Sequence, residues 1–203
     1  MRLATPALSV VMAGLTTVLL LGGCAASDSG PSGSAAHSGT ATTAAPESNP
    51  AGDIPDTQVF VPFTPPAGLF TVLVPEGWAR TTEGTATSFT DKANTVRIET
   101  AASAEAPSTE SVQVDELPAI ASSTPGYRPG TVSAVQRKAG SVIVITYQGT
   151  SAPNPVTGKT GIDAFERYDY WRNGHEAILT LSGPVGADNV DPWRTITDSL
   201  QWT

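Results

Sequence analysis

The sequence predicts an α+β domain, an antiparallel β-sheet flanked by helices, and three stretches of residues carry that prediction. Asn173-Gly174 lies between two runs rich in aromatic and apolar residues, Ile162–Arg172 and His175–Ser182, which marks a two-residue hairpin turn with left-handed backbone. Val142-Ile143-Val144-Ile145 is apolar on both alternating faces, so its strand is expected to be central and covered on both sides, by helices. Asp191-Pro192-Trp193 sets an N-cap and a first-turn proline before Ile196 and Leu200, which are spaced for one face of a C-terminal helix. A start at Asp188 remains open.

In chain order, Arg2 supplies a positive start, Ala7 to Leu21 is uncharged and apolar, and Leu21-Gly22-Gly23-Cys24 ends the run in small residues before the only cysteine of the chain. This spelling resembles the bacterial lipobox. It implies a signal peptide over residues 1–23 and lipidation of Cys24 with diacylglycerol, palmitate-type acyl chains then holding the protein on the membrane. A plain membrane-spanning anchor over Leu3 to Leu21 is the alternative, and it leaves the terminal cysteine unexplained. Two acyl chains anchor stably, at about 0.8 kcal/mol per buried methylene.

Residues 24–57 then form a tether of Ser, Ala, Gly, Thr and Pro without helical or strand periodicity, with a reach of roughly 30 Å. His37 is a solvated tether residue on this reading. Residues 58–203 are left as one globular domain without sulfur. That composition excludes zinc–thiolate clusters, redox pairs and thioether copper sites, so the core must be ordinary and apolar. The net charge is −8, and −9 once Arg2 is cleaved away, which argues against nucleic acid or anionic lipid as the main partner.

Within the domain, Leu69–Val74 reads as a strand closed by Pro75-Glu76-Gly77-Trp78. Thr85–Thr90 and Thr95–Thr100 follow as strands around the turn Asp91-Lys92-Ala93-Asn94. Val114, Leu117 and Ile120 suggest a short helix over Val114 to Ser122 with Pro118 in its first turn. Thr131–Arg137 and Ser141–Thr150 are the next strands. In the hairpin, pairing Arg172 with His175 sets Tyr170 opposite Ala177, Tyr168 opposite Leu179 and Glu166 opposite Leu181 on one face. Phe165, Arg167, Asp169 and Trp171 lie on the other, more polar face.

Phe70-Thr-Val-Leu-Val-Pro75-Glu-Gly77-Trp78, the late strand pair, and Asp191-Pro-Trp193-Arg-Thr-Ile196-Thr-Asp-Ser-Leu200-Gln-Trp202 together resemble the PsbP-like α/β/α sandwich. That fold occurs in photosystem accessory proteins, a Ran-binding nuclear transport factor and actinobacterial lipoproteins of the LpqN type. The resemblance implies a domain used mostly to bind partners or stabilise assemblies. It brings no catalytic residues. With the Ala/Thr/Gly-rich composition it implies an actinobacterial host.

Chemistry is sparse. His175 is the only histidine of the domain, and with Asp169, Glu166 or Glu176 it is the sole general acid/base candidate, although a place beside a tight turn favours an exposed polar residue. No Gly-x-Ser-x-Gly elbow, phosphate loop or zinc-protease helix is present. Asp188 and Asp191 read as helix-capping residues, since the calcium-loop pattern is absent. No catalytic residue, cofactor or metal is therefore expected. Glu166 stands out on an otherwise aromatic and apolar face, where it needs a partner or a solvated opening. The long Thr150–Gly161 connection and the cluster beside it supply the candidate binding residues Lys159, Glu166, Arg167, Tyr168, Tyr170, Trp171, Arg172 and His175. Against this stands a reading in which the aromatics fill the core and the charges are solvated. The expectation is a non-enzymatic, envelope-exposed lipoprotein on the extracytoplasmic face of the cell membrane that binds an envelope protein or component. A carrier of a hydrophobic envelope molecule is the alternative, and a hydrolase around His175 the third reading.

Overall fold

The computed structural model describes residues 51–154 and 156–203. The leader, Cys24 and the tether up to residue 50 lie outside the described residues. Strands β1 (Phe60–Phe63) and β2 (Phe70–Pro75) pair, and β2 also takes β10 (Gln201–Trp202), giving a small sheet of order β1-β2-β10. The large antiparallel sheet has the order β3-β4-β5-β9-β8-β7-β6. Its strands are β3 (Ala79–Glu83), β4 (Ala86–Asp91), β5 (Asn94–Ala102), β6 (Arg128–Arg137), β7 (Gly140–Thr150), β8 (Ile162–Arg172) and β9 (His175–Pro184).

Two helical layers cover this sheet, as its alternation requires. On one face α3 (Val190–Asp198) and the small sheet close over Val142, Val144, Tyr168, Tyr170, Leu179 and Leu181. Ile196 and Leu200 are 0% and 1% exposed, and each contributes about 2 kcal/mol of burial. The opposite face is covered by α1 (Thr109–Ser111), a π-helical turn Val112–Glu116 and α2 (Leu117–Ser123), which pack on Ile143, Ile145 and Tyr147. The doubly apolar run of β7 thus serves two cores, as expected, but β7 lies second from the sheet edge rather than at its centre.

The hairpin register is the expected one at every pair, from Arg172 with His175 to Glu166 with Leu181. Asn173 and Gly174 adopt φ of 50° and 83°, the left-handed pair that this turn demands.

Three further expectations are corrected. The tether reading extends to residue 57, yet Ile54 is 4% exposed and Gly52 is tied down, so the packed domain includes residues assigned to the tether. Helix α3 starts at Val190 with Asn189 in the N-cap place expected for Asp191, and Asn189 makes no capping hydrogen bond because its side chain is committed elsewhere: Oδ1 accepts from Ile54 N–H (2.8 Å) and Nδ2 donates to Gly52 O (3.1 Å) and Asn94 Oδ1 (3.0 Å). The 114–122 helix is longer than expected, and its π turn shifts the buried face. Val112 is fully buried and Val114 is 68% exposed, while Leu117 and Ile120 pack inward and Pro118 sits in the first turn of α2, where its missing N–H is tolerated. Strands β1, β3 and β10 were not legible. β3 is exposed at all five positions and β10 is two residues long.

Candidate functional site

Alternation along β8 sends Glu166, Tyr168 and Tyr170 to the α3 face and Arg167, Asp169 and Trp171 to the α1 face, so the sheet itself separates the expected binding residues into two groups. On the α3 face Glu166 finds its partner two residues along the strand, where the Tyr168 hydroxyl donates to its Oε2 at 2.5 Å. Arg137, at the end of β6, donates from Nη2 to the same hydroxyl at 3.2 Å and lies over the Tyr168 ring at 5.2 Å. Its Nε donates to Thr197 Oγ1 at 3.3 Å and stands 3.6 Å from Asp198 Oδ1, while Arg194 Nε stands 3.6 Å from Oδ2. Tyr170 donates to the Thr197 carbonyl at 2.6 Å. A continuous polar chain, Glu166–Tyr168–Arg137–Asp198–Arg194, therefore runs from the sheet onto α3.

Burial pushes the Tyr168 phenol up to about 12, helped by its hydrogen bond to Glu166 and that carboxylate's charge and opposed by Arg137. Burial likewise raises Tyr170. For Arg137, burial works against the charge, but Tyr168, Tyr170 and Asp198 outweigh it and the guanidinium is held more firmly protonated. Both phenols stay neutral and the cation stays charged. The far end of this chain borders a cleft of about 500 Å³ between α3 and β2, whose rim carries Lys138, Arg194, Asp198 and Gln201.

On the α1 face the more polar pattern is covered by the helical layer. Arg167 Nη2 pairs with Glu116 Oε2 at 2.7 Å and its Nε stands 3.0 Å from Asp169 Oδ1. That second approach is an ion pair without the alignment of a hydrogen bond, and among the described residues Asp169 accepts no hydrogen bond with either oxygen. Burial raises the Asp169 carboxyl to about 7, with Arg167 opposing and Glu116 and Glu176 adding to the rise. Arg167 is raised: burial opposes its charge, and Asp169 and Glu116 outweigh it. Trp171 is anchored by Nε1–H to the Ser103 carbonyl at 2.9 Å.

The remaining expected residues do not join either group. Lys159 is exposed in the loop before β8, and Arg172 and His175 are exposed at its other end, about 33 Å away for an eleven-residue strand. His175 shares a strand face with Ala177 and Leu179, opposite to Asp169 and Glu176. It lies about 20 Å along the sheet from Glu166, so the acid/base grouping does not assemble. Arg137, Asp198, Glu116 and the burial of Asp169 were missed, since each depends on which element lands on which face. Among the described residues no group of His, Cys, Asp and Glu is placed to hold a metal ion, and no helix is long and apolar enough to cross a membrane.

No protein-family model matches the chain, and neither does any curated protein. Among solved structures it is similar to cyanobacterial PsbP (CyanoP) from Synechocystis sp. PCC 6803, with a TM-score of 0.52 and 11% identity over 75% of this chain and 98% of that one. The fold is PsbP-like. Two further likenesses are to the Ran-binding protein Mog1p of Saccharomyces cerevisiae (TM-score 0.46, 10% identity, 71% and 96% covered) and to LpqN of Mycobacterium tuberculosis, described as involved in cell envelope biogenesis (0.40, 15%, 73% and 92%). The chain spans about half the length, 48%, of a Bacteroides thetaiotaomicron structure that it also resembles over 70% of its own (0.47, 12%). At such identities the PsbP-like likeness is one of architecture.

Proposed function

We propose that this chain is a lipid-anchored, extracytoplasmic lipoprotein whose PsbP-like domain binds an envelope protein or component without catalysing a reaction on it. The observation that carries the reading is the polar chain from Glu166 to Arg194. Its phenols are held neutral, its cation is held charged, and each member lies in hydrogen-bond or charge contact with the next, which suits a recognition surface and not proton transfer. The cleft at its end presents Lys138 and Arg194 beside Asp198, mixed charges of the kind that orient a partner. The anchor rests on Leu21-Gly22-Gly23-Cys24 alone.

The carrier reading needs an apolar cavity between sheet and helix. In that place Phe70, Tyr170, Ile196 and Leu200 are 0%, 1%, 0% and 1% exposed and fill the space. Crosslinking in native membranes followed by affinity capture tests the proposal, with palmitate labelling of the wild type and of Cys24→Ser. The expected result is label and membrane retention in the wild type only, with a partner captured from the anchored form. Undiminished labelling in Cys24→Ser, or turnover of a substrate with no partner captured, overturns it.

A further inference from the structure

The large sheet ends in two edge strands, and they are built differently. β3 is five residues long and carries Arg80 and Glu83, the short and charged form in which proteins guard an open edge. β6 runs for ten residues, and from Pro129 to Gln136 it carries no charge. In the small sheet the edges are β1, which contains Pro62, and β10, which has two residues. Pro129 and the shift of register between Pro129 and Val132 guard only the first part of β6. Arg137 pairs with Gly140 across the two-residue turn Lys138-Ala139, so these two residues exchange both backbone hydrogen bonds. Alternation then commits the backbones of Arg137, Val135 and Ser133 to β7 and turns those of Gln136, Ala134 and Val132 outward. Among the described residues no strand lies beyond them, and the one side chain that reaches these groups is Arg137, whose Nη1 donates to the Gln136 carbonyl over 3.5 Å.

Ser133, Ala134 and Gln136 are exposed, while Val132 and Val135 lie half-buried on opposite faces at the margins of the two cores. A strand added here continues both cores sideways. Charge selects its kind. Arg128 and Lys138, at the two ends of β6, are exposed and stand in no ion pair among the described residues, on a chain of net charge −8. A second copy pairing antiparallel brings Arg128 of one toward Lys138 of the other at both ends, under a like net charge. We propose that the edge of β6 takes up an extended segment of another protein as an added strand, uncharged and β-branched in its middle and acidic at its ends. This deepens the partner-binding reading and rests on it, since Lys138 both follows β6 and lies on the rim of the α3 cleft.

Amide hydrogen exchange of the ¹⁵N-labelled full chain in detergent micelles, read residue by residue by NMR, tests it with the peptide acetyl-Glu-Thr-Val-Thr-Val-Thr-Thr-Glu-amide. Saturating peptide is expected to slow exchange about tenfold at Val132, Ala134 and Gln136, while Ser133, Val135 and Arg137, already bonded to β7, do not change. Ala134→Pro removes an outward N–H and none of the β7 ladder, so it keeps the fold and abolishes the effect. Lys138→Glu leaves the backbone intact and weakens the peptide about threefold, the loss of one exposed ion pair, and the same peptide with lysine at both ends binds the wild type more weakly. Slowing at all six residues alike or at none, equal binding of the two peptides, or undiminished binding in Ala134→Pro or in Lys138→Glu overturns the proposal. Protection of the three outward amides that needs no peptide and grows with protein concentration assigns the edge to a second copy, and overturns it as well. The peptide is measured on isolated protein, so a membrane capture that finds no partner refutes the partner-binding reading and not this pairing. A captured partner with no pairing at β6 refutes this inference alone.

Discussion

Asp169→Asn should make the protein more resistant to unfolding at pH 8 and leave it unchanged relative to the wild type near pH 4. The carboxyl rises from 3.8 to about 7 on folding, chiefly through burial. Below 3.8 both states hold the proton and the aspartate behaves like its neutral isostere. Between 3.8 and 7 the native state keeps a proton that the unfolded chain has released, so stability falls as pH rises, and above 7 the full penalty is present. About three pH units at about 1.4 kcal/mol each amount to about 4 kcal/mol. Urea unfolding of the wild type and Asp169→Asn at each pH from 4 to 8 measures the difference, in which the titration of Glu116 and Glu176 cancels to first order. The reasoning is refuted if the difference is flat with pH. It is also refuted if the wild type gains on the variant as pH rises, which would mean that Arg167 holds Asp169 ionised.

Other substitutions probe the rest of the architecture. Tyr168→Phe removes the donor to Glu166 and the acceptor of Arg137, and should lower stability by about 1–2 kcal/mol, read from the urea midpoint. Ile196→Ala opens a cavity under α3 at a fully buried position and should lose about 2–5 kcal/mol in the same assay. Gly183→Ala would place a Cβ 2.3 Å from Asn94 Oδ1 and 2.9 Å from Asn189 Nδ2, parting the side chains that hold Gly52 and Ile54. It should cost about 1–3 kcal/mol and expose the chain near residues 52–57 to limited proteolysis, which mass spectrometry locates.

Local patterns predicted most of the large sheet because alternation and turn chemistry act over a few residues. Asn173-Gly174 set the hairpin register correctly at every pair, and Val142–Ile145 revealed a sheet covered twice. The face read as more polar is so in composition, and the burial of its charges could not be read. Arg167 and Asp169 look solvated until the π turn brings Glu116 over them, and a π turn leaves no periodic signal in a short apolar pattern. Glu166 was recognised as needing a partner. Tyr168 two residues away is a local answer, but Arg137 and Asp198 arrive from distant strands and helix and carry no sequence signature. The short β10 and the uniformly exposed β3 are made by pairing with neighbours and not by their own alternation.

Photo-crosslinking from the rim of the α3 cleft in native membranes tests the central claim most directly. A crosslinking residue is placed at Lys138, with one at the remote Lys159 as control. The account predicts one envelope adduct from position 138, absent from position 159 and lost when Arg194→Glu reverses the charge beside it. Adducts that are the same from both positions, or that survive the charge reversal, would contradict it.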